Sequence, residues 1–138
     1  MADPAFIHVI HIRAPIARVW AALTDPAQTR RYWFGTDVTS EWTVGASVTY
    51  TRGGKVDVTG RVLEIEPPRL LRYSFIHSTL YPAEHAEGDS VVTYVLEEAD
   101  GVTRLTLIHD GFPDGSVVRA GVADGWTEIL AGLKRLLE

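Results

Sequence analysis

From Ser116 to Glu138, apolar residues recur at helical spacing. At about 100° per residue, Val118, Val122, Trp126, Ile129, Leu130, Leu133, Leu136 and Leu137 fall within about a third of the circumference. The pattern predicts one amphipathic helix with a single face to bury. Gly121, Gly125 and Gly132 form a second stripe at the edge of that face. Each glycine costs about 1 kcal/mol relative to alanine in a helix interior. The stripe therefore predicts a close approach, by a sheet backbone or by a ligand beside the helix. A long helix laid along a sheet with room beside it is a container.

Upstream the pattern is shorter in period. Phe6 to Ile12 is β-branched and predicts a strand. Pro15 suits a first helical turn, and Ile16, Val19, Trp20 and Leu23 follow at helical spacing. Asp25-Pro26-Ala27-Gln28 is a fresh start, with Asp as N-cap, Pro at the first position and Gln at the third. Two short helices are thus expected from about Pro15 to Arg31, broken at Thr24-Asp25. From Gly35 onward the period is two, which predicts strands at Thr36–Trp42, Ser47–Arg52, Val56–Ile65, Leu70–His77, Ser90–Glu97 and Thr103–His109. Gly53-Gly54 and Asp100-Gly101 are two-residue hairpin signals, and Gly45 and Pro67-Pro68 mark further turns.

Strands joined in this way run antiparallel. The order, without repeat or linker, predicts a single α+β domain over residues 1–138: a curved antiparallel sheet of six to seven strands around a long C-terminal helix, with two short helices after the first strand. One connection is longer than its neighbours. His77 to Asp89 carries Leu80 and Tyr81 in a polar stretch, and is expected to be either a lid or a mobile hairpin loop.

Composition narrows the function classes. The 138 residues can bury one core, and 46% hydrophobic against 22% charged residues argues against disorder. Cysteine is absent, which excludes disulfides and thiolate chemistry. A formal net charge of −5 disfavours a nucleic-acid partner. No segment approaches the roughly 18 apolar residues of a membrane span, and Met1-Ala2-Asp3-Pro4 shows no leader pattern, so a cytoplasmic location is expected.

Several short strings carry a resemblance. Ala14-Pro15 with Val19-Trp20, Leu23-Thr24-Asp25-Pro26 and Tyr32-Trp33-Phe34 open it. Val44-Gly45, Gly60-Arg61-Val62-Leu63-Glu64, Pro67-Pro68-Arg69-Leu70 and Thr103-Arg104-Leu105-Thr106-Leu107 continue it. His109-Asp110-Gly111-Phe112 and Gly125-Trp126, through Leu130 and Leu133, complete it. In this order the chain resembles the heat-shock protein 90 ATPase activator homologue family of the START-like, birch-allergen-like (SRPBCC) superfamily. That resemblance implies the helix-grip fold, often with a ligand cavity between sheet and helix. It also implies a heat-shock ATPase as an alternative partner, although this chain lacks the separate N-terminal region of the full co-chaperone. The matched strings are turn, capping and core residues, so they point to a fold and not to a reaction.

The remaining candidates are chemical. No phosphate-binding glycine loop, G-x-S-x-G elbow or H-E-x-x-H motif is present. His8 and His11 are three apart on a strand and face opposite ways, and His85 lies among Glu84 and Glu87 on a polar loop. No three or four clustered ligands can be named, so neither metal nor cofactor is expected. His109 and Asp110 are adjacent on a strand and face opposite ways, which argues against direct cooperation; His109 is expected to make one hydrogen bond at a cavity wall. Trp20 belongs to a core stripe. The set expected to line a sheet–helix cavity is Trp33, Phe34, Tyr73, Phe75, His77, His109, Phe112, Gly125, Trp126 and Leu130. The function expected from it is non-catalytic binding of a small hydrophobic or aromatic molecule. The alternatives are a co-chaperone module acting on a heat-shock ATPase, and a cavity enzyme of aromatase, cyclase or hydrolase type using His77 or His109.

Overall fold

Alternating buried and exposed positions build one sheet in the computed structural model, which describes residues 2–138. Its strands are β1 (Phe6–Ile12), β2 (Asp37–Ser40), β3 (Ser47–Arg52), β4 (Lys55–Glu66), β5 (Leu70–His77), β6 (Ser90–Ala99) and β7 (Val102–Asp110). All neighbours pair antiparallel, in the order β1-β7-β6-β5-β4-β3-β2. The first strand crosses to the far edge beside β7, while β2 to β7 follow one another as a meander. The two glycine-bearing hairpin turns take the backbone that primed turns require: Gly53 and Gly54 both have positive φ, as do Asp100 and Gly101.

Two bulges bend β4. One leaves Asp57 without a partner opposite the Tyr50–Thr51 step, and the other leaves Leu63 unpaired between Val62 and Glu64. An extra residue on one strand increases local twist and re-aims side chains. Between them, Gly60 lies against β5 so closely that a Cβ there would collide with the Ser74 carbonyl.

Helices α1 (Ile16–Thr24) and α2 (Pro26–Tyr32) break where expected. Asp25 Oδ1 accepts from the Ala27 amide at 2.9 Å and caps α2, as the sequence predicts. The first amide of α1 donates instead to the carboxylate of Glu98 on β6. The stretch after β5 is not unstructured: it contains a short helix, α3 (Pro82–His85). The predicted strand Thr36–Trp42 is shorter in fact, ending at Ser40, because Trp42 turns the chain with a left-handed φ of 54°.

Helix α4 (Val117–Leu137) lies across the concave face. Val118, Trp126, Ile129, Leu130, Leu133 and Leu137 are buried, as the apolar stripe predicts. This is the helix-grip architecture. Both ends of α4 are tied by side chains from distant sequence. At the start, Asp3 accepts from the Ser116 amide at 2.8 Å, and Glu87 accepts from the Ser116 hydroxyl at 2.6 Å and the Val117 amide at 2.7 Å. At the end, Glu138 accepts from the Arg13 amide at 2.8 Å, and Lys134 donates to the His11 carbonyl at 2.6 Å. No helix of the described residues is long and apolar enough to cross a membrane.

Candidate functional site

A cavity of about 300 Å³ opens between the N-terminal half of α4 and the β3–β4–β5 end of the sheet. Its helix wall carries Val118, Gly121, Val122, Gly125, Trp126 and Ile129. The sheet supplies Tyr50, Val58, Phe75 and His77, and the turn after α2 supplies Trp33 and Phe34. The loop after β5 completes the mouth with Tyr81 and Glu84.

The aromatic wall is packed ring on ring. Trp33 stacks on Tyr50 with centroids 4.3 Å apart, and Trp126 meets Trp33 edge-on at 5.0 Å. Behind Tyr50 runs a line of buried hydroxyls, Tyr50 to Tyr73 at 2.8 Å and Tyr73 to Tyr94 at 3.1 Å. Burial pushes all three phenols up from their ordinary range, so they stay neutral. Phe34 is different. It is 48% exposed, has a left-handed φ of 49°, and its ring edge lies 4.0 Å from where a Cβ at Gly125 would stand.

The glycine stripe divides into two roles. A Cβ at Gly121 would meet nothing within 4 Å, and one at Gly125 only the Phe34 ring. Both glycines border the cavity. At Gly132 the Cβ would stand 3.2 Å from Tyr32 Cβ, so that glycine admits α2 against α4. The close approach is thus to another helix, and not to the sheet backbone.

Of the ten residues expected to line a cavity, six do: Trp33, Phe34, Phe75, His77, Gly125 and Trp126. Tyr73, His109, Phe112 and Leu130 lie outside the lining. Tyr73 sits beneath Tyr50, its hydroxyl spent in the tyrosine line. Leu130 is fully buried in the core. Phe112 packs its ring 4.7 Å from His109, deeper than the wall.

His109 makes two ring hydrogen bonds where one was expected. Trp126 Nε1 donates to His109 Nδ1 at 2.9 Å, so the proton belongs on Nε2, which donates to Ser90 Oγ at 2.7 Å. Ser90 in turn donates to the Phe75 carbonyl at 3.1 Å. Burial, and then the neighbouring His77, lower the His109 pKa from 6.5 to about 3. The ring is a neutral tie between α4 and β7.

His77 is the cavity histidine. Its ring faces Phe75 at 5.2 Å and Tyr81 at 5.7 Å, both edge-on. Among the described residues its buried Nδ1 has no hydrogen-bond partner. Burial lowers its pKa against the opposing pull of Glu84, Asp57 and Glu87, so the imidazole is uncharged at neutral pH.

The polar mouth escaped sequence reasoning. Arg52 Nε pairs with Asp57 Oδ2 at 3.1 Å; the Tyr81 hydroxyl donates to Asp57 Oδ1 at 2.9 Å and accepts from Arg52 at 3.0 Å. One signal was available: Val48, Tyr50 and Arg52 alternate along β3, so Arg52 continues the inward row past the core. Asp57 gave none, because the bulge that aims it is a property of strand pairing. Among the described residues no group of three His, Asp or Glu side chains is placed to hold a metal ion.

The loop is pinned at four places. Tyr81 binds the Arg52–Asp57 pair, His85 Nδ1 lies 2.8 Å from the His77 carbonyl, the Ser78 amide donates to the Asp57 carbonyl at 2.9 Å, and Glu87 caps α4. It forms one wall of the mouth.

A model of the activator of Hsp90 ATPase homolog 1-like protein family matches residues 13–138. No curated protein matches the chain. Among solved structures, CalU16 from Micromonospora echinospora is similar at 26% identity and a TM-score of 0.76, over 97% of this chain and 76% of that one. Protein MLL2253 from Mesorhizobium loti is similar at 26% identity and a TM-score of 0.81, over 97% and 96%. PFC0360w from Plasmodium falciparum, described as an HSP90 activator, shares the fold at 18% identity and a TM-score of 0.81, over 98% and 96%.

Proposed function

We propose, from the premise that this chain belongs to the activator of Hsp90 ATPase homolog 1-like family, that it is a non-catalytic binding module for a small, largely apolar or aromatic molecule held between α4 and the sheet. The observation that carries this reading is the cavity itself: about 300 Å³, walled by Trp33, Tyr50, Phe75 and Trp126, with its polar groups gathered at the mouth. That volume reaches the lower end of the range of ligand pockets, and the aromatic lining supports the reading. Catalysis finds less support. His109 is silenced by its two bonds, and His77 has no carboxylate hydrogen-bonded to orient it as a base.

The test uses N-phenyl-1-naphthylamine, a neutral apolar fluorophore, with the whole chain. Wild type is expected to enhance its emission saturably, and Gly125→Leu to lower the affinity at least about tenfold by filling the space beside Phe34. Because the new side chain enters open volume and gains helix propensity, the variant is expected to melt within a few degrees of wild type. Absence of uptake by wild type, or undiminished uptake by the variant, would sink the proposal. A co-chaperone role rests on family membership alone. Calorimetric titration with a heat-shock ATPase, with neither binding nor altered ATP turnover, would dispose of it.

A further inference from the structure

The mouth of the cavity has an unbalanced charge. Three charged side chains line it: Arg52, Asp57 and Glu84. Arg52 and Asp57 neutralise each other, and Tyr81 closes the ring by donating to one and accepting from the other. Asp57 has both carboxylate oxygens engaged. Glu84 is half-buried and pairs with no cation of the described residues. The lining thus carries one uncompensated negative charge.

Two further groups stand close enough to bear on that charge, and neither offsets it. His77 stands in the field of Glu84, Asp57 and Glu87, yet burial keeps its ring uncharged at neutral pH. The positive end of α4 lies beside the cavity, but Asp3 and Glu87 already occupy its first amides. An anionic ligand would meet Glu84 with no free cation to answer it.

Inward from Glu84 the surface is aromatic. Rings of Trp33, Phe34, Tyr50, Phe75, Tyr81 and Trp126 border one space. Aromatic faces attract cations through their quadrupole, most strongly where water is excluded. A carboxylate at the rim of such a cage complements an ammonium group. Resting on the binding reading above, we propose that the cavity selects lipophilic organic cations: an aryl body seated among the aromatic rings, with a protonated amine at the rim beside Glu84.

The test compares three ligands of one shape and different charge. 2-Naphthylmethylamine is cationic at pH 7, 2-naphthylmethanol is neutral and 2-naphthoate is anionic. Their affinities are measured by calorimetry and by displacement of N-phenyl-1-naphthylamine. The amine is expected to bind about tenfold more tightly than the alcohol and the carboxylate most weakly. Glu84→Gln is expected to bring the amine-to-alcohol ratio close to one, and added salt to reduce the ratio in wild type. If the neutral fluorophore binds but the alcohol or carboxylate matches the amine, or if Glu84→Gln leaves the ratio unaltered, the cation preference is overturned and the pocket remains. If wild type takes up neither the fluorophore nor any of the three, both readings fall.

Discussion

At the scale of single residues, His109 accepts from Trp126 and donates to Ser90, so its neutral form is fully bonded inside the core. Its folded pKa of about 3 lies below the ordinary 6.5. Between those values the unfolded chain binds a proton that the native chain refuses. Stability contributed by the neutral ring is therefore present above pH 6.5 and lost as pH falls toward 3, by roughly 3 kcal/mol at pH 4. His109→Gln preserves both bonds, with the amide oxygen accepting from Trp126 and the amide nitrogen donating to Ser90, but cannot protonate. Its melting temperature is expected to fall less than that of wild type between pH 7 and pH 4; parallel profiles would show that another group controls acid sensitivity. Phe34 makes the opposite case. A bulky side chain at φ 49° is strained by about 1 kcal/mol or more, and here the ring stands half-exposed at the cavity mouth. Phe34→Asn relieves the backbone and removes the ring, so it is expected to melt no lower than wild type while binding the naphthyl fluorophore more weakly. A clear loss of stability would mean that the ring's packing outweighs its strain.

At the scale of elements, α4 shows that three glycines in one stripe need not share a purpose. Gly132 admits Tyr32, whose hydroxyl donates to the Ala22 carbonyl at 2.7 Å and whose ring is buried, so this neighbour has no freedom to move away. Gly121 faces open space with an ordinary helical backbone. Alanine at Gly121 is expected to stabilise the chain by up to about 1 kcal/mol, and alanine at Gly132 to destabilise it despite the same gain in propensity. Urea unfolding of the two variants gives both signs, and a stabilised Gly132→Ala would contradict the tight contact between α2 and α4.

At the scale of the molecule, α4 is seated by groups far from it in sequence. The long loop, expected to be either a lid or a mobile hairpin loop, is joined to the helix through Glu87, whose two carboxylate oxygens accept from its start. Glu87→Ala removes a charge-assisted cap and frees one wall of the mouth. It is expected to cost about 1–2 kcal/mol and to raise amide exchange across residues 78–89. Unchanged exchange there would assign the loop's order to Tyr81 and His85 instead.

The sequence by itself determined the order of the elements and every one of them except α3. Periods of two and 3.6, the Asp25 cap and the glycine turns are local, and each acts through a few neighbouring residues. It also placed Gly125 and Trp126 beside an expected cavity, while the glycine stripe left open whether a sheet backbone or a ligand came close. Only the tertiary structure decided which rings reach that cavity. Tyr73 and Phe75 share one face of β5, yet Tyr73 is covered by Tyr50 from β3 and Phe75 is not. His77 and His109 end different strands, and the position of Trp126 buried one in a bonded network and left the other at the wall. The charged mouth depends on a bulge at Asp57 and on a loop folding back over β3. Such features arise from strand register and the curvature of the whole sheet, which no short window of sequence encodes.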